Sequence, residues 1–201
     1  MKRLLIITVM CAVGFLSAIS FAEDSVYEPV PVMEHPSDNK WSKVKEELGK
    51  MLYFDPRLSG SNWISCATCH NPGLGWGDGL PRTIGDGQKE LGRHAPTIIN
   101  SGFFEVQMWD GRKKSLEDQA QGPIAATVEM NQDYDELIME LKALPGYVNR
   151  FEKVFGKNSL TIGNIAKAIA TFERSVVSKN APYDKYWAGD KSAMSSSAVN
   201  G

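Results

Sequence analysis

Cys66-Ala67-Thr68-Cys69-His70 is the stretch on which the reading of this chain turns. Two cysteines three positions apart, with a histidine directly after the second, form the C-x-x-C-H pattern of covalent c-type haem attachment. On one helical turn, two thiols can reach the two vinyl groups of a single porphyrin. The adjacent imidazole then faces the iron. Three other uses of the cysteines were weighed. A zinc site needs further ligands at finger-like spacing, and beyond residue 22 only the isolated His35 and His94 remain. A thioredoxin-like pair belongs in a βαβ setting, of which the sequence gives no sign. A disulfide leaves His70 and the glycine-rich surroundings without a role. The pattern occurs once in the 201 residues, so one covalent haem is expected.

Moving toward the N-terminus, Lys2 and Arg3 precede an apolar run from Leu4 to Ile19, followed by Ser20-Phe21-Ala22. This reads as a secretory signal peptide over residues 1–22, cleaved after Ala22. The rival is a retained membrane anchor, although a span needs about 20 apolar residues. Export fits the motif, because covalent haem attachment takes place outside the cytoplasm. Periplasmic location follows. Loss of the two leading basic residues moves the net charge from −2 to −4, which gives no basic footprint for nucleic acid. Cys11 leaves with the signal, and two cysteines are too few for a disulfide scaffold.

Residues 23–41 carry Pro29, Pro31 and Pro36 without periodicity and read as an extended lead-in. From Ser42, Val44, Leu48 and Leu52 share one helical face, and Asp55-Pro56 ends that helix. Residues 56–114 are glycine-rich and loop-dominated, a length that requires some other organiser. A large planar ligand would serve. Ser115-Leu116-Glu117-Asp118 has the capping-box pattern, and Gly122-Pro123 is read as that helix's end. A second stripe runs Tyr134, Leu137, Ile138, Leu141, Leu144 up to Pro145-Gly146. Thr161 heads a third, with Ile162, Ile165, Ile169, Phe172 and Val176 inward. Asn180-Ala181-Pro182 stops it. The expected fold is all-α, a cytochrome c-like haem domain with long haem-wrapping loops.

The run Leu48-Gly49-Lys50-Met51-Leu52-Tyr53-Phe54-Asp55-Pro56-Arg57-Leu58-Ser59 adds something more specific. Together with Cys66–His70, Ile84-Gly85-Asp86-Gly87, Ala95-Pro96-Thr97, Trp109-Asp110-Gly111-Arg112, Gln119-Ala120 and Val128-Glu129-Met130, it resembles the N-terminal haem domain of bacterial dihaem cytochrome c peroxidases. The methylamine-utilisation oxidase belongs to the same superfamily. The resemblance covers about residues 42–190. It implies His70 as proximal iron ligand, Gln119 and Glu129 on the distal, peroxide-binding side, and Trp109 between two haems. A distal carboxylate can carry a proton from one peroxide oxygen to the other. Taken singly, Glu129 reads as a solvated helix-end acid, and Trp109 and Met130 read as core. Met130 is also an alternative axial ligand. Trp63 and Trp76 are expected as haem-pocket walls and His35 as solvated.

Two positions depart from the family pattern. Asp86 stands where many members carry a histidine that caps the resting iron, and a hard oxygen donor replaces imidazole poorly there. His94 stands where an asparagine ligates an inter-domain calcium, which counts against calcium here. Met194–Gly201 resembles the opening helix of a second haem domain, and no second C-x-x-C-H follows. The expectation is a truncated start of that domain at residues 191–201, the alternative being a separate second-haem partner. The function implied is a haem peroxidase reducing hydrogen peroxide with electrons from a small cytochrome c or cupredoxin, as a homodimer or with that separate partner. The alternatives are a monohaem electron carrier ligated by His70 and Met130, and an oxidase acting on a partner protein.

Overall fold

The computed structural model describes residues 28–201. The signal-peptide expectation therefore lies outside the described residues. Two compact units are present, Pro31–Lys179 and a second that includes Asn180–Gly201. The described residues contain helices and no strand, as the apolar periodicity implies. None of those helices is long and apolar enough to cross a membrane.

The larger unit is built on two helices. Helix α1 spans Lys43–Tyr53, with the Ser42 side chain accepting from the Lys45 amide. Helix α6 spans Ile162–Glu173, capped in the same way by Thr161 on Asn164. Both caps satisfy amides that a helix start otherwise leaves unpaired. Leu48, Leu52 and Tyr53 of α1 join Ile165, Ile169 and Phe172 of α6 in one buried cluster. The backbones touch: a β-carbon on Gly49 would lie 1.9 Å from the Ala168 carbonyl oxygen. A glycine there allows the two helices to cross at contact distance.

Three more helices close the core. Helix α3 covers Leu116–Ala125 and packs on α6. It runs through Gly122-Pro123, where the sequence was read as ending it. Pro123 falls in the last turn of α3, and its carbonyl, among those a helix end leaves without an intrahelical donor, accepts from the Met130 amide (3.1 Å). Helix α4 spans Tyr134–Lys142 and α5 spans Pro145–Phe155. The Pro145-Gly146 pair, read as a stop, also starts α5, since proline's fixed φ suits a first helical position.

The lead-in has no regular structure but is anchored. Asn39 is fully buried, donating to Glu117 (2.7 Å) and the Lys167 carbonyl (3.0 Å). His35 is half-buried with an unpartnered Nδ1, not solvated as expected.

Residues 56–114 hold one short α-helix, α2 (Cys66–Cys69), and four single-turn 3₁₀ helices among loops. Three loops share a design: a lone antiparallel bridge closes each, at Asn71–Gly77, Ile84–Glu90 and Gln107–Lys113. Each contains residues with left-handed φ, among them Trp76 and Met108. Side chains that large are seldom found there. In the other unit, α7 (Pro182–Trp187) follows the proline read as a stop, and α8 (Ser196–Asn200) lies in the segment expected to begin a helix.

Candidate haem site

Helix α2 presents the attachment motif. The Ser65 amide donates to Thr68 Oγ1 (3.0 Å), which fixes the start of the turn, and the His70 amide closes it on the Cys66 carbonyl (2.9 Å). His70 then leaves the helix and its Nδ1 meets the Pro96 carbonyl oxygen at 2.8 Å. A carbonyl only accepts, so Nδ1 carries the proton and Nε2 keeps its lone pair. A hydrogen bond of this kind is how proteins orient a ligating imidazole. Burial lowers the His70 pKa, with the Pro96 and Trp76 backbone partly opposing, so the ring is neutral and fit to ligate.

The cysteines are free thiols, pushed up by burial to about 12 at Cys66 and about 11 at Cys69. Neither is a thiolate near neutral pH, which suits neither zinc binding nor disulfide exchange. Among the described residues no cluster of three or more His, Cys, Asp or Glu side chains could hold a metal ion. Beside Cys69 is a cavity of about 350 Å³ lined by Trp63, Ile64, Leu74, Leu80 and Ile84. Trp63 forms part of that cavity's wall. Trp76 packs instead with Tyr53 and Phe172, at centroid distances of 5.9 Å to each. Two buried carboxyl oxygens, Asp86 Oδ1 and Glu173 Oε2, have no hydrogen-bond partner. An apolar cavity, free thiols, an oriented imidazole and orphaned acids fit a haem attached through Cys66 and Cys69.

The turn that follows α3 brings Glu129 to this place. It is pinned from two sides: the Gly60 amide donates to the Met130 carbonyl (2.9 Å), and the Asp86 amide donates to the Glu129 carbonyl (2.8 Å). Gly85 passes so close that a β-carbon would meet the Val128 carbonyl oxygen at 1.9 Å. Burial raises the Glu129 carboxyl, and Arg112 opposes it. The charge of Glu129 reaches Cys69, raising the thiol further. Glu129 is thus a half-buried acid at the attachment site, not a solvated helix-end residue.

The other expected residues are more scattered. Gln119 is half-buried on α3, with its amide 3.8 Å from Met108 Sδ. Trp109 is 87% exposed at the tip of its loop. It is not core packing. Met130 is 4% exposed and belongs to the core cluster, as a packing residue would. His94 is exposed. Sequence reasoning missed Glu173. The available signal was its spacing, four residues after Ile169 on the buried stripe of α6.

Comparison with known proteins agrees with this geometry. The sequence profile described as di-haem cytochrome c peroxidase matches residues 43–192. The chain is 46% identical over 175 residues to the methylamine utilization protein MauG of Methylorubrum extorquens, covering 87% of this chain and 49% of that protein. It is 38% identical to cytochrome c551 peroxidase of Pseudomonas aeruginosa, covering 88% and 52% respectively. Among solved structures, a MauG-like protein associated with microbial copper homeostasis superimposes with a TM-score of 0.75 at 30% identity, covering 81% of this chain and 49% of that one. The chain spans about half the length of these relatives. A C-x-x-C-H turn with its histidine tied to Pro96, and a profile match across nearly all of the larger unit, place this chain in the di-haem cytochrome c peroxidase family.

Proposed function

We propose that the chain is an exported haem peroxidase domain that reduces hydrogen peroxide to water. Cys66 and Cys69 would hold one haem c, with His70 Nε2 toward its iron. That group supplies the redox centre for cleavage of the peroxide O–O bond. The electrons come from a small periplasmic cytochrome c or cupredoxin, and relatives named cytochrome c551 peroxidase favour the cytochrome.

The observation that carries the proposal is Glu129. Its carboxyl is half-buried, electrostatically linked to Cys69, and raised by burial toward the range in which it can both accept and return a proton. Glu129 takes the proton from the near peroxide oxygen and delivers it to the far one as water leaves. The Gln119 amide orients the peroxide without competing for that proton. Arg112 limits the rise of the Glu129 carboxyl.

Asp86 is buried, accepting from Asn131 Nδ2 at 3.2 Å through Oδ2. With a carboxyl instead of an imidazole here, Asp86 would leave a bound haem without a second histidine ligand, and the domain would need no reductive activation. The test is peroxide turnover of the haem-loaded chain with a reduced small cytochrome as donor. Glu129→Gln is expected to keep its haem and lose about 100-fold in turnover, the scale of lost acid–base catalysis. Unchanged turnover would remove Glu129 from the reaction. A bis-histidine low-spin ferric spectrum would refute the reading of Asp86.

A further inference from the structure

Glu173 ends α6 on the face that packs against α1, one turn beyond Ile169. The residue is 6% exposed, and no hydrogen bond reaches its Oε2. The adjacent cation does not serve it. Arg174 gives Nη1 and Nη2 to the Glu117 carboxylate, at 2.5 and 3.0 Å. Phe172, the preceding residue of α6, packs on Tyr53 with ring centroids 5.1 Å apart, and Glu173 when ionised raises both the Cys66 thiol and the Tyr53 phenol. Tyr53 is fully buried and its hydroxyl donates to the His70 carbonyl at 3.4 Å. Glu173 therefore adjoins the Phe172–Tyr53 contact, through which α6 meets the side chain bonded to the iron-ligating residue, and its charge is felt at the first attachment cysteine.

An unpaired carboxyl in such a place is costly as an anion and is held as the neutral acid. Burial pushes Glu173 up to about 8, Arg174 opposes this, and Glu117 adds to it. A positive charge nearby would favour the carboxylate, and removing that charge would favour the acid. Haem iron gains or loses one such charge in each redox step.

On the haem reading above, we propose that Glu173 takes up one proton from solvent as the iron gains one electron from the donor, and releases it when the iron is oxidised. Glu173 acts as a positioning residue for charge and touches no peroxide. Four groups face it: Arg174 beside it, Glu117 from α3, Tyr53 from α1 and Cys66 from α2. The Glu117 carboxylate, held at about 2, stays charged near neutral pH, bonded to Arg174. Tyr53 stays neutral, and Cys66 becomes a thioether on attachment. Glu117, Tyr53 and the attached Cys66 do not titrate in the window where Glu173 does. The haem's own propionates also titrate, so the test must remove the acid of Glu173 alone.

The experiment is a spectroelectrochemical titration of the haem-loaded chain from about pH 6 to about pH 10, a range that brackets the raised carboxyl. The midpoint potential is expected to fall with rising pH through the region around pH 8. In Glu173→Gln it becomes flat there, and Glu173→Asp restores the slope. A pH-independent potential in the unaltered chain, or the same slope in Glu173→Gln, overturns the proposal. Should Glu173→Gln fail to load haem, redox-difference infrared spectra of the unaltered chain and of Glu173→Asp decide. A protonated-carboxyl band that appears on reduction, shifts in deuterium oxide and changes frequency in Glu173→Asp supports Glu173. A band that Glu173→Asp leaves unmoved belongs to the propionates and, like the absence of any band, overturns the proposal. A chain that never acquires covalent haem refutes the cofactor reading and this proposal together, whereas a loaded chain with a flat potential refutes the proposal alone.

Discussion

Helices α1 and α6 meet so closely that a β-carbon on Gly49 would collide with the Ala168 carbonyl, whereas the same atom added to Gly75 has nothing within 4 Å. The two glycines mark two kinds of architecture within one unit. Around Gly49, apolar side chains from facing helices exclude water and one another's motion. Around Gly75, three bridge-closed loops are shaped by backbone hydrogen bonds and left-handed residues, and large side chains such as Trp63 remain exposed. The helical half supplies its own core. The loop half is organised around the attachment turn, where a covalently held haem would complete its packing.

The sharpest way to break this contrast is to remove the attachment. Replacing both Cys66 and Cys69 by serine is expected to abolish covalent haem, read as loss of haem-stained protein on a denaturing gel. Amide exchange should then quicken across residues 56–114 while α1 and α6 keep their protection. Equal loss of protection in both regions would show that the helices also depend on haem.

Next in size is the polar contact that joins α3 to α6. Arg174→Met leaves the Glu117 carboxylate with no cation and should cost about 3–5 kcal/mol in denaturant unfolding. The same pair makes the helical half sensitive to acid. Burial would raise Glu117, but the bonds from Arg174 and Asn39 outweigh it and hold the carboxyl at about 2. A depressed acid contributes stability that is complete above its ordinary value and lost as pH falls from about 4.5 to about 2. Arg174→Met is expected to abolish most of that dependence, as followed by thermal unfolding across this range.

These contrasts follow how legible each region was. The stripes of α1 and α6 could be read because their apolar spacing and Ser42 and Thr161 caps act locally. Helix α5 was missed because Pro145 is compatible with both an end and a start, and only the following Tyr147 and Phe151, buried in the core, decide. Helix α3 continues only two residues past Pro123, and the turn after it is closed by Met130, seven residues on, donating to the Pro123 carbonyl, a contact that no local pattern reveals. His70 was legible from a motif. The placement of Glu129 by Gly60 and Asp86 was not, since it is made by backbone contacts from distant loops. Glu173 belongs to no motif at all.

Gly49→Ala should cost near the upper end of about 1–3 kcal/mol, because either helix must shift to admit the methyl group.

Gly75→Ala provides the matching small effect. Gly75 has φ near +69° and an open surrounding, so an added methyl meets no neighbour and the whole cost is conformational. Left-handed backbone costs an L-residue about 1–2 kcal/mol. The smaller freedom of alanine in the unfolded chain offsets about 0.4–1 kcal/mol of this. A net loss of about 1 kcal/mol is expected, read as a lower denaturant midpoint with unchanged slope and an unchanged haem spectrum. A loss as large as that of Gly49→Ala would mean that this loop packs like the helical core, and the distinction between the two regions would fail at that point.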